Sequence, residues 1–136
     1  TFPMKGYIVQ IEDATRDNQH YRRVLFTAKH SQLVLMNLKP GEEIGEEVHG
    51  MDQFIRFEEG EGTVVLDGEK HAVSDGFAVV IPAGTRHNVV NSGKTAALKL
   101  YSLYSPPEHK DGIIHKTKQE ADADHDHHFD GRTSMK

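Results

Sequence analysis

Turn-forming residues recur so closely along the middle of this chain that no long helix fits between them. Pro40-Gly41, Gly60-Glu61-Gly62, Asp67-Gly68, Ser74-Asp75-Gly76, Pro82-Ala83-Gly84 and Asn91-Ser92-Gly93 punctuate it. Glycine, Asn and Asp accept the positive φ that tight turns need, and proline removes a donor from any ladder. The runs between these breaks are Arg23 to Thr27, Ser31 to Leu38, Thr63 to Leu66, Lys70 to Val73, Phe77 to Ile81, His87 to Val90 and Ala97 to Tyr104. All are apolar or β-branched and of strand length. Asp67-Gly68 predicts a two-residue hairpin, and the all-apolar run before Pro82 predicts a buried strand. Met4 to Ile11 reads as a further strand, and the polar EDATRDNQHY after it as irregular chain. Many short strands with a turn at each break predict an all-β antiparallel sandwich or barrel.

A chain of 136 residues makes one domain. The strands place a barrel over residues 7–104, after a terminus of residues 1–6 in which Thr1, Phe2 and Pro3 read as a cleavage scar before Met4. From Ser105-Pro106-Pro107 onward the chain turns polar, ending in Asp122, Asp124, His125, Asp126, His127 and His128. Such a tail, residues 105–136, is expected to be loosely held or disordered, with Ile113 and Ile114 pinning its first part. Its histidines are expected to bind metal adventitiously. The excess of 21 acidic over 16 basic residues argues against nucleic acid or an anionic membrane as partner and leaves small molecules. No cysteine is present, so disulfides and thiolate ligands are excluded and any metal takes nitrogen and oxygen donors. With no apolar run long enough for a membrane span and no signal-peptide pattern, the expected location is cytoplasmic.

Chemistry concentrates in two stretches, Glu46 to Gly60 and Gly76 to Asn91. In extended chain, residues two or four apart share a face, so Glu47, His49 and Gln53 converge. His87 arrives from another strand, after the Pro82-Ala83-Gly84 turn, as a fourth group. Ile55 and Phe57 share the parity of Gln53 and are expected to line the cavity, whereas Arg56 faces away. His30, Tyr101 and Tyr104 are further candidates for contact with a substrate. Arg56 and Arg86 alone stand near the two stretches as cations for a phosphate, which speaks against a phosphorylated substrate.

The spacing of these residues resembles the two motifs of the cupin superfamily. Gly41, Glu47, His49, Gln53 and Gly60 occupy the places of the first motif, and Gly76, Pro82, Gly84, His87 and Asn91 match the second throughout. The resemblance is nearest to small single-domain cupins similar to mannose-6-phosphate isomerase. It implies a double-stranded β-helix, or jelly roll, binding one divalent metal through Glu47, His49, Gln53 and His87. Two positions depart from the family pattern: Glu47 replaces a histidine and Gln53 replaces a glutamate. The carboxylate has in effect moved, and the set becomes two nitrogens and two oxygens. Such donors favour Mn, Fe, Ni or Zn over Cu(I).

The superfamily houses many reactions, so resemblance alone does not select one. The leading expectation is Lewis-acid isomerase, epimerase or lyase chemistry on a sugar-like or carboxylate substrate, with Glu47 as ligand or as base. Glu47, His49 and His87 also make the two-histidine, one-carboxylate set of non-haem Fe(II) dioxygenases. A non-enzymatic barrel holding a small ligand or a structural metal is the third reading. The glycines, Pro82 and Asn91 are expected to be structural. An open jelly-roll edge, with the resemblance, implies a homodimer.

Overall fold

The computed structural model describes residues 5–135. Two antiparallel sheets face each other across one apolar core. In chain order the elements are α1 (Ile11–Asp17), β1 (Arg22–Thr27), β2 (Gln32–Leu38), β3 (Asp52–Glu59), β4 (Glu61–Leu66), β5 (Glu69–Ser74), β6 (Ala78–Ile81), β7 (His87–Val90), β8 (Leu98–Ser105), β9 (Ile114–His115) and α2 (Lys118–Ala123). The larger sheet runs β6-β3-β8-β2-β1-β9 and the smaller β5-β4-β7. This is the all-β antiparallel sandwich that the turn spacing predicts, in the jelly-roll form that the resemblance implies.

Register explains why one end of the barrel is polar and the other is not. Phe57 of β3 pairs with Leu100 of β8, which pairs with Met36 of β2, and all three side chains are fully buried. One row further along, Ile55 meets Ser102, which meets Val34; the next row is Gln53, Tyr104 and Gln32. Alternation keeps all of these on the inner face. The apolar rows close the barrel floor against Val64 and Val89 of the smaller sheet, each large side chain contributing about 2 kcal/mol by its burial. The polar row opens toward a mouth.

Two turns are specific to their residues. Asp67 and Gly68 both have positive φ, 47° and 85°, as the hairpin between β4 and β5 requires. Gly60 turns β3 into β4 at φ 100°, where an added Cβ would clash with the Ala97 carbonyl oxygen.

Several expectations are corrected. Ile11–Asp17, expected to be the end of a strand and irregular chain, forms α1, which buries Thr15 and docks its Arg16 against Glu59 of β3. Residues 5–10 carry no strand, and Met4, with Thr1 to Pro3, lies outside the described residues. The run Phe77 to Ile81 is no buried strand: β6 is the edge of its sheet, with Val80 69% exposed. Its apolar outer face therefore has no cover among the described residues.

The largest correction concerns the tail. Residues 105–134 fold back over the barrel instead of hanging loose. The buried Gln32 clamps them: its Oε1 accepts from the backbone N–H of His109 at 2.9 Å, and its Nε2 donates to the His109 carbonyl at 2.7 Å. Strand β9 then pairs with β1, Arg22 opposite His115. Helix α2 is capped by Thr117, whose hydroxyl accepts from the Glu120 N–H, and buries Ala121. Ile113 and Ile114 do fix this segment at β1, the first through its carbonyl to the Val24 N–H.

Candidate metal centre and cavity

Glu47 and His87 are set opposite each other by backbone bonds alone. Residues 41–47 run antiparallel to β7, with the N–H of Ile44 donating to Val89 at 2.9 Å. At the end of this pairing Glu47 and His87 exchange both backbone bonds, at 2.8 and 2.9 Å. Side chains of such a directly opposed pair lie on one face. His49, two residues past Glu47, shares that face, and its carbonyl accepts from the N–H of Gly84 at 3.0 Å, tying the first stretch to the turn of the second. The chain bends at 50–51 before β3 starts, so the four groups do not lie along one regular strand as parity alone assumes. They converge all the same.

Each imidazole is oriented through its far nitrogen. His49 Nδ1 lies 3.2 Å from the Met51 carbonyl and His87 Nδ1 lies 2.9 Å from the Thr85 carbonyl. A carbonyl only accepts, so Nδ1 carries the hydrogen and each Nε2 offers a lone pair. His49 Nε2 stands 3.2 Å from Gln53 Oε1 and 3.9 Å from Glu47 Oε2, while Gln53 Nε2 donates to Ser102 Oγ at 3.1 Å. Acceptors thus meet acceptors, which a cation between them resolves. Ligand atoms of Glu47, His49 and His87 all lie within 4.8 Å of one another, the one such set of three among the described residues. That spacing suits an ion held through bonds of about 2.1 Å. A void of about 10 Å³ lies among Glu47, Gln53, His87 and Tyr104, the space of a single water or ion. By donor chemistry and by size the residues fit a divalent metal.

Above this cluster opens a cavity of about 550 Å³. Glu47, His49 and Tyr104 form its floor, Tyr21 and Arg22 one wall, and the folded-back tail the other. Glu108, His109, Asp122, Asp124, His125, His127 and His128 all reach it, so the tail histidines line the cavity. Tyr104 joins the two regions, its ring centroid 6.1 Å from His49 and 5.5 Å from His109. Burial pushes the Tyr104 phenol well above its usual range and that of Tyr21 up to about 12, so both hydroxyls stay protonated donors. Burial likewise raises the Glu108 carboxyl, and it lowers His109 to about 2 with help from the Arg22 charge.

Of the remaining candidates, His30 is exposed and does not line the cavity, and Tyr101 packs against Phe54 on the outer face of the sheet. Ile55 and Phe57 belong to the core beneath the site and do not line it. Arg56 faces outward and pairs with Glu58 at 2.7 Å. Asn91 is structural: its amide donates to the carbonyls of Leu38 and Ala96. Arg22 was not among the sequence candidates. The signal for it lies in the alternation of RRVLFT, which puts Arg22 on the inner face with the buried Val24.

The chain is similar to proteins from several sources. It is 46% identical over 129 residues to the uncharacterized protein YrkC of Bacillus subtilis, covering 90% of this chain and 69% of that one. The crystal structure of BH2720 from Bacillus halodurans superposes with a TM-score of 0.85 at 45% identity, over 88% of this chain and 96% of that one. KdgF from Halomonas sp. is more distant, at 27% identity and a TM-score of 0.58, over 62% and 76% of the two chains. The Cupin domain family matches residues 34–104, from β2 through the inner face of β8, and so takes in the entire Glu47, His49, Gln53 and His87 cluster. This chain belongs to the cupin family.

Proposed function

We propose that this cupin is a metal-dependent enzyme of isomerase, epimerase or lyase type acting on a small sugar-like or carboxylate molecule. The observation that carries the reading is the convergence of Glu47, His49 and His87, with the Gln53 oxygen beside them, on the floor of a cavity large enough for such a molecule. Glu47, His49 and His87 would hold one divalent ion, with Gln53 as a fourth donor or as the group that orients a bound oxygen. The ion supplies Lewis acidity toward a carbonyl or hydroxyl oxygen, making the neighbouring C–H acidic. Tyr104, protonated and at the cavity floor, is placed to donate to an oxygen that gains charge. Glu47 is either a ligand or the base that takes the proton, and the two roles exclude each other.

Metal content of the tag-free full chain after a chelator wash and anaerobic reconstitution tests the reading. Near-stoichiometric Mn, Fe, Ni or Zn in the wild type, lost in the His49→Ala, His87→Ala double variant, is the expected result. Absence of metal from the reconstituted wild type would favour a barrel that only binds a ligand. Glu47→Gln separates the two roles: turnover lost with metal retained marks a base, and metal lost marks a ligand. A second reading rests on the composition of the same set, two histidines and one carboxylate, which suits Fe(II) oxygen chemistry. Iron-dependent oxygen consumption would select it.

A further inference from the structure

Arg22 opens β1 and is 7% exposed on the cavity wall. A guanidinium keeps its charge under all ordinary conditions, and a buried charge without a counter-ion is costly. Among the described residues no carboxylate lies within ion-pairing distance of it. Its NH1 donates to His115 Nδ1 at 3.1 Å, which leaves the hydrogen on His115 Nε2 to be donated to Asp124 at 2.9 Å. This relay aims the guanidinium and consumes Asp124 without neutralising the charge directly. The Tyr21 ring, 5.4 Å away, offers partial compensation.

Of the cavity's other carboxylates, Glu47 belongs to the metal cluster and three pair elsewhere. Glu46 pairs with Arg86 at 3.3 Å, Asp122 with Lys118 at 3.1 Å, and Glu108 Oε1 with His128 at 3.5 Å. Among the described residues Arg22 is the one Arg or Lys on this wall. Four buried side-chain atoms among the described residues lack a hydrogen-bond partner, and three of them, Arg22 Nε, Glu108 Oε2 and His109 Nε2, belong to residues of this cavity. Buried polar groups are ordinarily satisfied, so three such atoms around one cavity single it out.

We infer that Arg22 is the anchor for the carboxylate of a small hydroxy or oxo acid, whose other oxygen reaches the Glu47, His49 and His87 cluster. The inference deepens the proposed function and rests on its reading of that cluster as the reacting end. A planar guanidinium matches a carboxylate in two parallel bonds. One fixed positive charge, amid Glu47 and Glu108, suits a monoanion and disfavours a phosphate dianion.

Titration of the full chain, followed by NMR at the Arg22 Nε–H resonance, tests the assignment with glycolate, the neutral glycolamide and inorganic phosphate as probes. Both zinc-loaded and metal-stripped protein are titrated. Glycolate is expected to shift the resonance saturably and to bind about tenfold or more tighter than glycolamide. Arg22→Met should abolish that preference with zinc stoichiometry unchanged, and Arg22→Lys, keeping the charge without the fork, should restore part of it. The wild-type comparison stands even if Arg22→Met fails to fold. Equal binding of glycolate and glycolamide, a preference for phosphate, or a preference that survives Arg22→Met would overturn the assignment. Failure of the metal reading looks different: no zinc binds, yet the Arg22-dependent preference persists in stripped protein.

Discussion

His109 shows how a single residue couples the cavity to stability. It is 2% exposed, packed between Tyr104 and His127, with Arg22, His115 and His128 as further neighbours. Burial first, and then these cationic or ionisable groups, lower its folded-state pKa from 6.5 to about 2. In the unfolded chain it takes a proton near its ordinary value, so between those limits the unfolded state binds more protons. The sign follows: its contribution is complete above about pH 6.5 and is lost as pH falls toward about 2. His109→Gln is therefore expected to flatten the acid side of the stability profile. The difference amounts to at most about 1.4 kcal/mol for each pH unit below the ordinary histidine value. Urea unfolding at about pH 7 and about pH 5 checks this, and parallel profiles for the two proteins would contradict it.

The informative element is the returning segment that carries β9 and α2. Its composition reads as a disordered tail because it has too little apolar surface to form a core of its own. It needs none. It covers surface that the barrel has already built, Tyr21, Val24 and Tyr104, and satisfies its backbone on Gln32 and on the edge of β1. Deleting residues after Asp111 is expected to lower the thermal midpoint by about 10 °C or more, since it uncovers several core side chains and strands Arg22 without His115. An unchanged midpoint would mean that the segment adds nothing to the fold. The first part of the chain makes the same point in miniature. The apolar alternation near Ile8 looks like a strand, but α1 forms just after it, where Thr15 and Arg16 find partners on the chain.

For the whole molecule, the outer face of the large sheet is the unfinished part. Register aligns Val80, Phe54, Leu103, Leu33 and Phe26 in one row across five strands, and Tyr7 stacks on Phe26 at the end of it. Val80 is 69% exposed and its own strand, β6, is an unpaired edge among the described residues, a combination that invites pairing with another chain. We propose that two copies associate through this face. Light scattering at micromolar concentration should give twice the chain mass, falling to a monomer in Phe54→Glu; a monomeric wild type would refute it. No described helix is long and apolar enough to cross a membrane.

The jelly roll and the Glu47, His49, Gln53 and His87 cluster were legible in the sequence because both are written locally. Turn residues act within four positions, strand parity within two, and the two motifs carry their own spacing. Even there the backbone pairing of Glu47 with His87 was needed to bring the stretches face to face. Tertiary structure alone decided the rest. The bond between Arg22 and His115 spans 93 residues, and that between Gln32 and His109 spans 77. Nothing local selects such partners: a polar segment finds its place only once the barrel exists to receive it, and with it the cavity acquires its wall.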